Sequence, residues 1–202
     1  MIDTERYFDH VRDELFGGSM TQQQVDGQTV IIACWNYQAT GTPMTDIRWL
    51  AYMLATVYHE CAAKMWPIRE YGQGEGKEYG IPDENGNVFY GRGFVQLTWK
   101  ENYDRAGAIL SLVDDRDPVL HPDIVLDSLI AARVLFRGMA EGWFTSAKLG
   151  NYFNEEDDNP IEARAIINSD VSKNGPMIAD YHYVFLDALD VASSPASNGR
   201  IS

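Results

Sequence analysis

Between Asp3 and Phe16 the apolar side chains fall at Tyr7, Phe8, Val11 and Leu15, an amphipathic helical spacing that Gly17-Gly18 would stop. A second helix is expected from Thr21, whose hydroxyl can cap it while Gln24 completes a capping box; its apolar face is Val25, Val30, Ile31, Cys34 and Trp35. Gly41-Thr42-Pro43 is punctuation. The strongest helical pattern follows, from a Thr45 cap through DIRWLAYMLATVYHECAAKMW to Pro67. Five glycines between positions 72 and 86, with Pro82 and Asn85-Gly86, then deny a long helix and predict short strands and a hairpin. Helical periodicity resumes near Asn102, again over Pro122–Met139, and last over Met177–Leu189. The fold class expected is mainly α, an α+β arrangement with a small β-hairpin region at about 67–99. There is no internal repeat and no clear linker, so residues 1–190 form one domain and 191–202 a flexible tail.

Composition removes whole classes of function. The chain has 202 residues, 45% of them hydrophobic, and a net charge of −14. No basic excess exists to dock on nucleic acid or an anionic membrane, and no apolar run is long enough to span a bilayer. The start, MIDTERYFDHVRDELF, lacks the basic-then-apolar order of a secretory signal, which predicts a protein that is cytoplasmic on synthesis. Cys34 and Cys61 sit in apolar helical context and are expected to be free, buried thiols. The two cysteines and four histidines offer no zinc spacing, and the acidic run from Asn154 lacks the order of a calcium loop. No metal or cofactor is implied.

Glu60 is the first candidate for chemistry. Val57, Met53 and Trp49 lie three, seven and eleven residues before it, so it sits on the apolar stripe of its helix. A carboxyl there suits a general acid; the structural reading is an ion pair with Lys64 or an arginine. Glu70, beyond the break at Pro67, can face Glu60 across a cleft, with Glu75 and Glu78 as rivals for the second role. Two carboxyl groups in unlike environments are what splits a glycosidic bond. Gln96 and Thr98, two apart on an extended segment, project to one face and can orient an N-acetyl group and a water. His59 beside Glu60 supplies a hydrogen bond rather than a metal ligand.

The stretch YHE followed by FYGRGFVQLTWKENY resembles the family 19 glycoside hydrolases, the class I chitinases and related lysozyme-like phage endolysins. Tyr90, Gly91, Arg92, Gly93, Gln96, Leu97, Thr98, Asn102 and Tyr103 match the central motif. GWFTSAKLGNYFN and ARAIINSD are similar to the C-terminal part of the bacterial and phage members. The resemblance spans roughly residues 20 to 190. It implies a lysozyme-like fold whose β region lines a substrate cleft, with Glu60 as general acid, Glu70 as general base and Thr98 holding the attacking water. His59, Tyr90, Arg92, Gln96, Asn102 and Asn168 would bind the sugar. Asn168 is followed by Ser169 where the family has glycine, and the plant enzymes' cysteine-rich insertions and last-helix arginine have no counterpart. The implied function is inverting hydrolysis of β-1,4 bonds in bacterial peptidoglycan by a monomer that reaches the wall through a separate pore. Chitin hydrolysis is the alternative, and a silent glycan-binding or virion protein the non-enzymatic one.

Overall fold

The computed structural model describes residues 1–37 and 44–194, so the Gly41-Thr42-Pro43 punctuation and the end of the tail lie outside the described residues. Among the described residues there are six α-helices and a two-stranded sheet: α1 Thr4–Phe16, α2 Gln22–Asn36, α3 Ile47–Glu60, β1 Ile68–Arg69, β2 Arg92–Gly93, α4 Lys100–Leu110, α5 Ser128–Glu141 and α6 Val171–Ser193. The fold is mainly helical, as the periodicity predicts.

Helix α3 is the axis. Every residue from Leu50 to Val57 is buried, so α3 is apolar all round and must be wrapped by others. Helices α6, α2 and α5 do the wrapping, and α1 packs on α6. Helix starts follow their caps: Asp3 accepts from Glu5 and Arg6 N–H, and Thr21 with Gln24 makes the expected capping box. For α3 the capping side chain is Asp46, not Thr45; its carboxylate takes the Arg48 N–H and also pairs with the Arg48 guanidinium. Arg48 in turn holds the acidic loop through the carbonyls of Asn154 and Asp157.

Three expected boundaries move. Helix α3 ends at Glu60 rather than at Pro67, because tertiary contacts outweigh local propensity. Ala62, Ala63 and Met65 take positive φ, which turns the chain so that Met65 is buried and its carbonyl passes against α2 at Gly27. A Cβ on Gly27 would lie 1.6 Å from that oxygen, so only glycine admits the crossing. The expected helix over 122–139 is a 3₁₀ turn, Pro122–Leu126, and then α5, divided by Asp127, whose side chain caps Leu129 and Ile130. The last helix is longer than 177–189 at both ends and contains Pro176. Residues 191–193 are therefore not tail: Ala192 is buried and its carbonyl accepts the Asp3 N–H at 3.1 Å. Cys34 and Cys61 are free and buried.

The hairpin pairs β1 and β2 antiparallel, with Ile68 opposite Gly93 and Arg69 opposite Arg92. Its connection is the long loop between them, not the Asn85-Gly86 turn, which Asp83 closes locally by accepting the Asn85 and Asn87 N–H groups. The two-residue alternation of the strands sorts their side chains onto two faces. That sorting sets the functional site.

Candidate active site

Glu60 is the last residue of α3 and opens into a cavity of about 410 Å³. The cavity is lined by Glu60 with Val95, Gln96, Thr98 and Trp99 from the hairpin side, Asn102 from α4, and Phe144, Ile167 and Asn168 from the C-terminal third; Tyr79 completes it. The hairpin forms one wall and the segments around Phe144 and Asn168 the other.

The partner of Glu60 is Arg164, not Lys64. Arg164 Nη1 donates to Glu60 Oε1 at 2.5 Å, and its Nε and Nη2 donate to Asp170 at 2.5 and 3.3 Å. The Arg164 side chain is only 4% exposed, a burial tolerable for a guanidinium because both carboxylates share it. Its bond to Arg164 is the largest cause holding Asp170 below the usual carboxylate range. Asn174, one turn into α6, also donates to Asp170 at 2.6 Å. Among the described residues nothing donates to Glu60 Oε2, which leaves one carboxyl oxygen oriented and free.

Glu70 extends β1, and its N–H donates to the Gly91 carbonyl at 2.7 Å. Alternation puts Glu70 on the face opposite Arg69 and Arg92. Its carboxylate accepts twice, from Tyr79 Oη at 3.0 Å and from the Gly91 N–H at 3.1 Å. Tyr79 thus joins the cavity wall to Glu70. Glu75 and Glu78 are exposed loop residues with no such bonds.

Gln96 and Thr98 both line the cavity, but not because they share a strand. Gln96 has φ of 54° in a turn that bridges Arg92 to Leu97. Gln96 Nε2 donates to the Gly93 carbonyl, and Thr98 Oγ1 to the Gln96 carbonyl. A Cβ on Gly91 would stand 3.0 Å from Gln96 Oε1 and 3.4 Å from Thr98 Oγ1, which accounts for glycine there. Asn102 is anchored through Nδ2 to the Thr98 carbonyl at 2.8 Å. Asn168 is exposed at the opposite wall.

Tyr90 and Arg92 belong elsewhere. They line a second cavity, also of about 410 Å³, with His121 and Asp123. There Arg92 packs over the Tyr90 ring at 3.6 Å, donates to the Val88 and Tyr90 carbonyls and Tyr103 Oη, and pairs with Asp123. Asp123 also pairs with Arg69. Alternation puts these arginines on the face opposite Glu70, which is not itself among the cavity-lining side chains and is joined to the cavity wall through Tyr79. His59 is half-buried and is not among the cavity-lining side chains; burial is the main cause holding its pKa below the usual value.

Arg164, Asp170 and Phe144 are the residues that sequence reasoning missed. Arg164 left a signal: flanked by Ala163, Ala165 and Ile166, it is a charge in apolar company, which demands a buried partner.

No model of a known protein family matches the chain, and no curated protein does. Solved structures do. Chitinase C from Streptomyces griseus HUT6037 superposes with a TM-score of 0.59 at 20% identity, over 96% of this chain and 78% of that one. A bacterial family 19 chitinase gives 0.56 at 22% identity, over 93% and 94%. The fold is that of the family 19 chitinases. A mutant of chitinase C gives 0.58 at 18% identity over 96% of this chain and 95% of that one, so the likeness extends over nearly the whole of both chains.

Proposed function

We propose that the chain is a glycoside hydrolase that cleaves β-1,4 bonds between N-acetylated sugars with inversion. The observation that carries this reading is the pairing of two differently held carboxylates. Glu60 has one oxygen fixed by Arg164 and the other free toward a cavity of amides, a hydroxyl and aromatic rings. Glu70 is held on the hairpin through Tyr79, which lines the same cavity. Glu60 would protonate the leaving oxygen while Glu70 takes a proton from the attacking water, with Thr98 helping to hold that water. Such a water needs carboxyls roughly 6.5–9.5 Å apart.

Gln96, Asn102 and Asn168 offer the hydrogen-bonding groups that N-acetyl sugars need, and no lining side chain is a cation. Chitin and the glycan strand of peptidoglycan share the bond in question. The solved neighbours are chitinases, which favours chitin; the likeness of the sequence to phage endolysins favours peptidoglycan, and with it delivery to the wall through a separate pore. Turbidity loss of purified cell walls, run beside product release from chitin oligomers, decides between them. Binding of both without turnover would instead support the non-enzymatic reading, and neither binding nor turnover would overturn the proposal.

A further inference from the structure

Trp99 is out of place by every local rule. It carries φ of 75° and ψ of 136°, a conformation in which the Cβ of a bulky L-residue is crowded and glycine is relaxed. The strain does not serve burial, since the residue is 44% exposed while nearby Phe89 and Phe94 are buried. The backbone holds it there from both sides. The Trp99 N–H donates to the Phe89 carbonyl at 2.9 Å, and its own carbonyl accepts the Asn102 and Tyr103 N–H groups as α4 begins.

The indole lines the cavity that holds Glu60, Gln96, Thr98 and Asn102. Its neighbour is Tyr79, edge-on at 5.3 Å and 79°, and the Tyr79 hydroxyl is the one that donates to Glu70. An exposed aromatic face flanked by amides fits a pyranose, which has an apolar C–H face and a polar rim. The other exposed ring nearby, Tyr71, is taken up by Lys64 and does not line the cavity.

We propose that the Trp99 indole is the platform on which a sugar next to the scissile bond stacks, and that Tyr79 ties this platform to Glu70 as one rigid unit. Strain at residue 99 is retained because it aims the ring. The inference rests on the glycan-hydrolase reading above. It adds that substrate affinity is concentrated in one ring, with the base held at a fixed offset from it.

The test uses the full chain carrying Glu60→Gln as a non-hydrolysing binder. The probes are β-1,4-linked tetramers of N-acetylglucosamine and of alternating N-acetylglucosamine and N-acetylmuramic acid, followed by tryptophan fluorescence and calorimetry. Adding Trp99→Ala should weaken binding about ten- to a hundredfold, and Trp99→Phe should restore most of it. Trp99→Gly should lose the same affinity while Tm stays level or rises, because the strain is relieved. In the otherwise unaltered enzyme, Trp99→Ala should act mainly through KM. Tyr79→Phe keeps the ring but not the bond to Glu70, so it should act mainly through kcat. Binding that Trp99→Ala and Trp99→Gly leave unchanged overturns the inference and spares the hydrolase reading. A large fall in Tm for Trp99→Gly also overturns it, since the ring would then be structural. Failure of the Glu60→Gln protein to bind either tetramer overturns both.

Discussion

The two cavities beside the hairpin have the same volume, about 410 Å³, and each has a buried arginine paired with an aspartate beside it: Arg92 in the rear lining, and Arg164 behind Glu60 in the cleft. They differ in what is left over. On the rear face both Asp123 oxygens are used, one by Arg92 and one by Arg69. In the cleft Arg164 is shared between Asp170 and a single oxygen of Glu60, so one carboxyl oxygen remains unengaged. Volume does not distinguish the two; what does is the oriented Glu60 oxygen to which, among the described residues, nothing donates.

The contrast is open to attack, most severely at Glu60. Glu60→Gln should lower kcat about 10³-fold with Tm unchanged, checked by initial rates and thermal melts. An active Glu60→Gln enzyme would make the cleft no more catalytic than the rear face. Glu70→Gln should cost about 10²-fold or more; if Glu78→Gln is the damaging change instead, the second carboxylate is misassigned.

Arg92→Met should do the reverse. Removing a buried guanidinium that serves two carbonyls, Tyr103 Oη and Asp123 should destabilise by about 3 kcal/mol and lower Tm by roughly 10 °C, leaving KM within a factor of about two. A large change in KM without a change in Tm would move Arg92 into substrate binding.

Acid should separate the rear face from the core under α6. His182 on α6 is fully buried, stacked on Phe153 near Tyr52, and burial pushes its pKa down to about 4. An unfolded histidine takes its proton near 6.5, so the unfolded chain binds more protons throughout the interval below that. Stability should therefore fall as pH drops from about 6.5 to about 4, by about 3 kcal/mol, and His182→Phe should flatten that slope in denaturant titrations. The rear face responds later. Burial alone would raise Asp123, but its bonds to Arg69 and Arg92 hold it below the usual carboxylate range, so its contribution is lost only at lower pH. The smallest effect concerns charge: residues 51–100 carry five basic and six acidic side chains, while residues 101–202 carry eight and seventeen. If the cell wall is the substrate, its repulsion should be screened by moderate salt, raising lysis by a factor of about two; a steep loss would contradict this.

What could be foreseen followed how local its causes were. The start of α2 was visible in Thr21 and Gln24, because a capping box is written in four residues. Glu60 stood out from the stripe of α3, since helical spacing is local too. The end of α3 was not visible, for it depends on Gly27 admitting a carbonyl from residue 65. Alternation along an extended segment predicts Gln96 and Thr98 on one face; a left-handed Gln96 brings them together by another route. The opposite facing of Tyr90 and Arg92 was implicit in their alternation with Gly91 and Gly93, but the motif drew attention to residue identity rather than to parity. Arg164 was hardest, because its role depends on a residue far away along the chain.

That distance has a consequence for how the site comes into being. Glu60 and Arg164 are 104 positions apart, and α6, whose start carries Asp170, closes against both α3 and the N-terminal α1. A ribosome has therefore released Glu60 and both hairpin strands well before Arg164, which orients the Glu60 carboxylate, exists. Bringing such remote partners together is the slow, entropically costly part of folding. A nascent or truncated chain can hold a helix α3 and remain inert, so activity would report completion of the whole polypeptide.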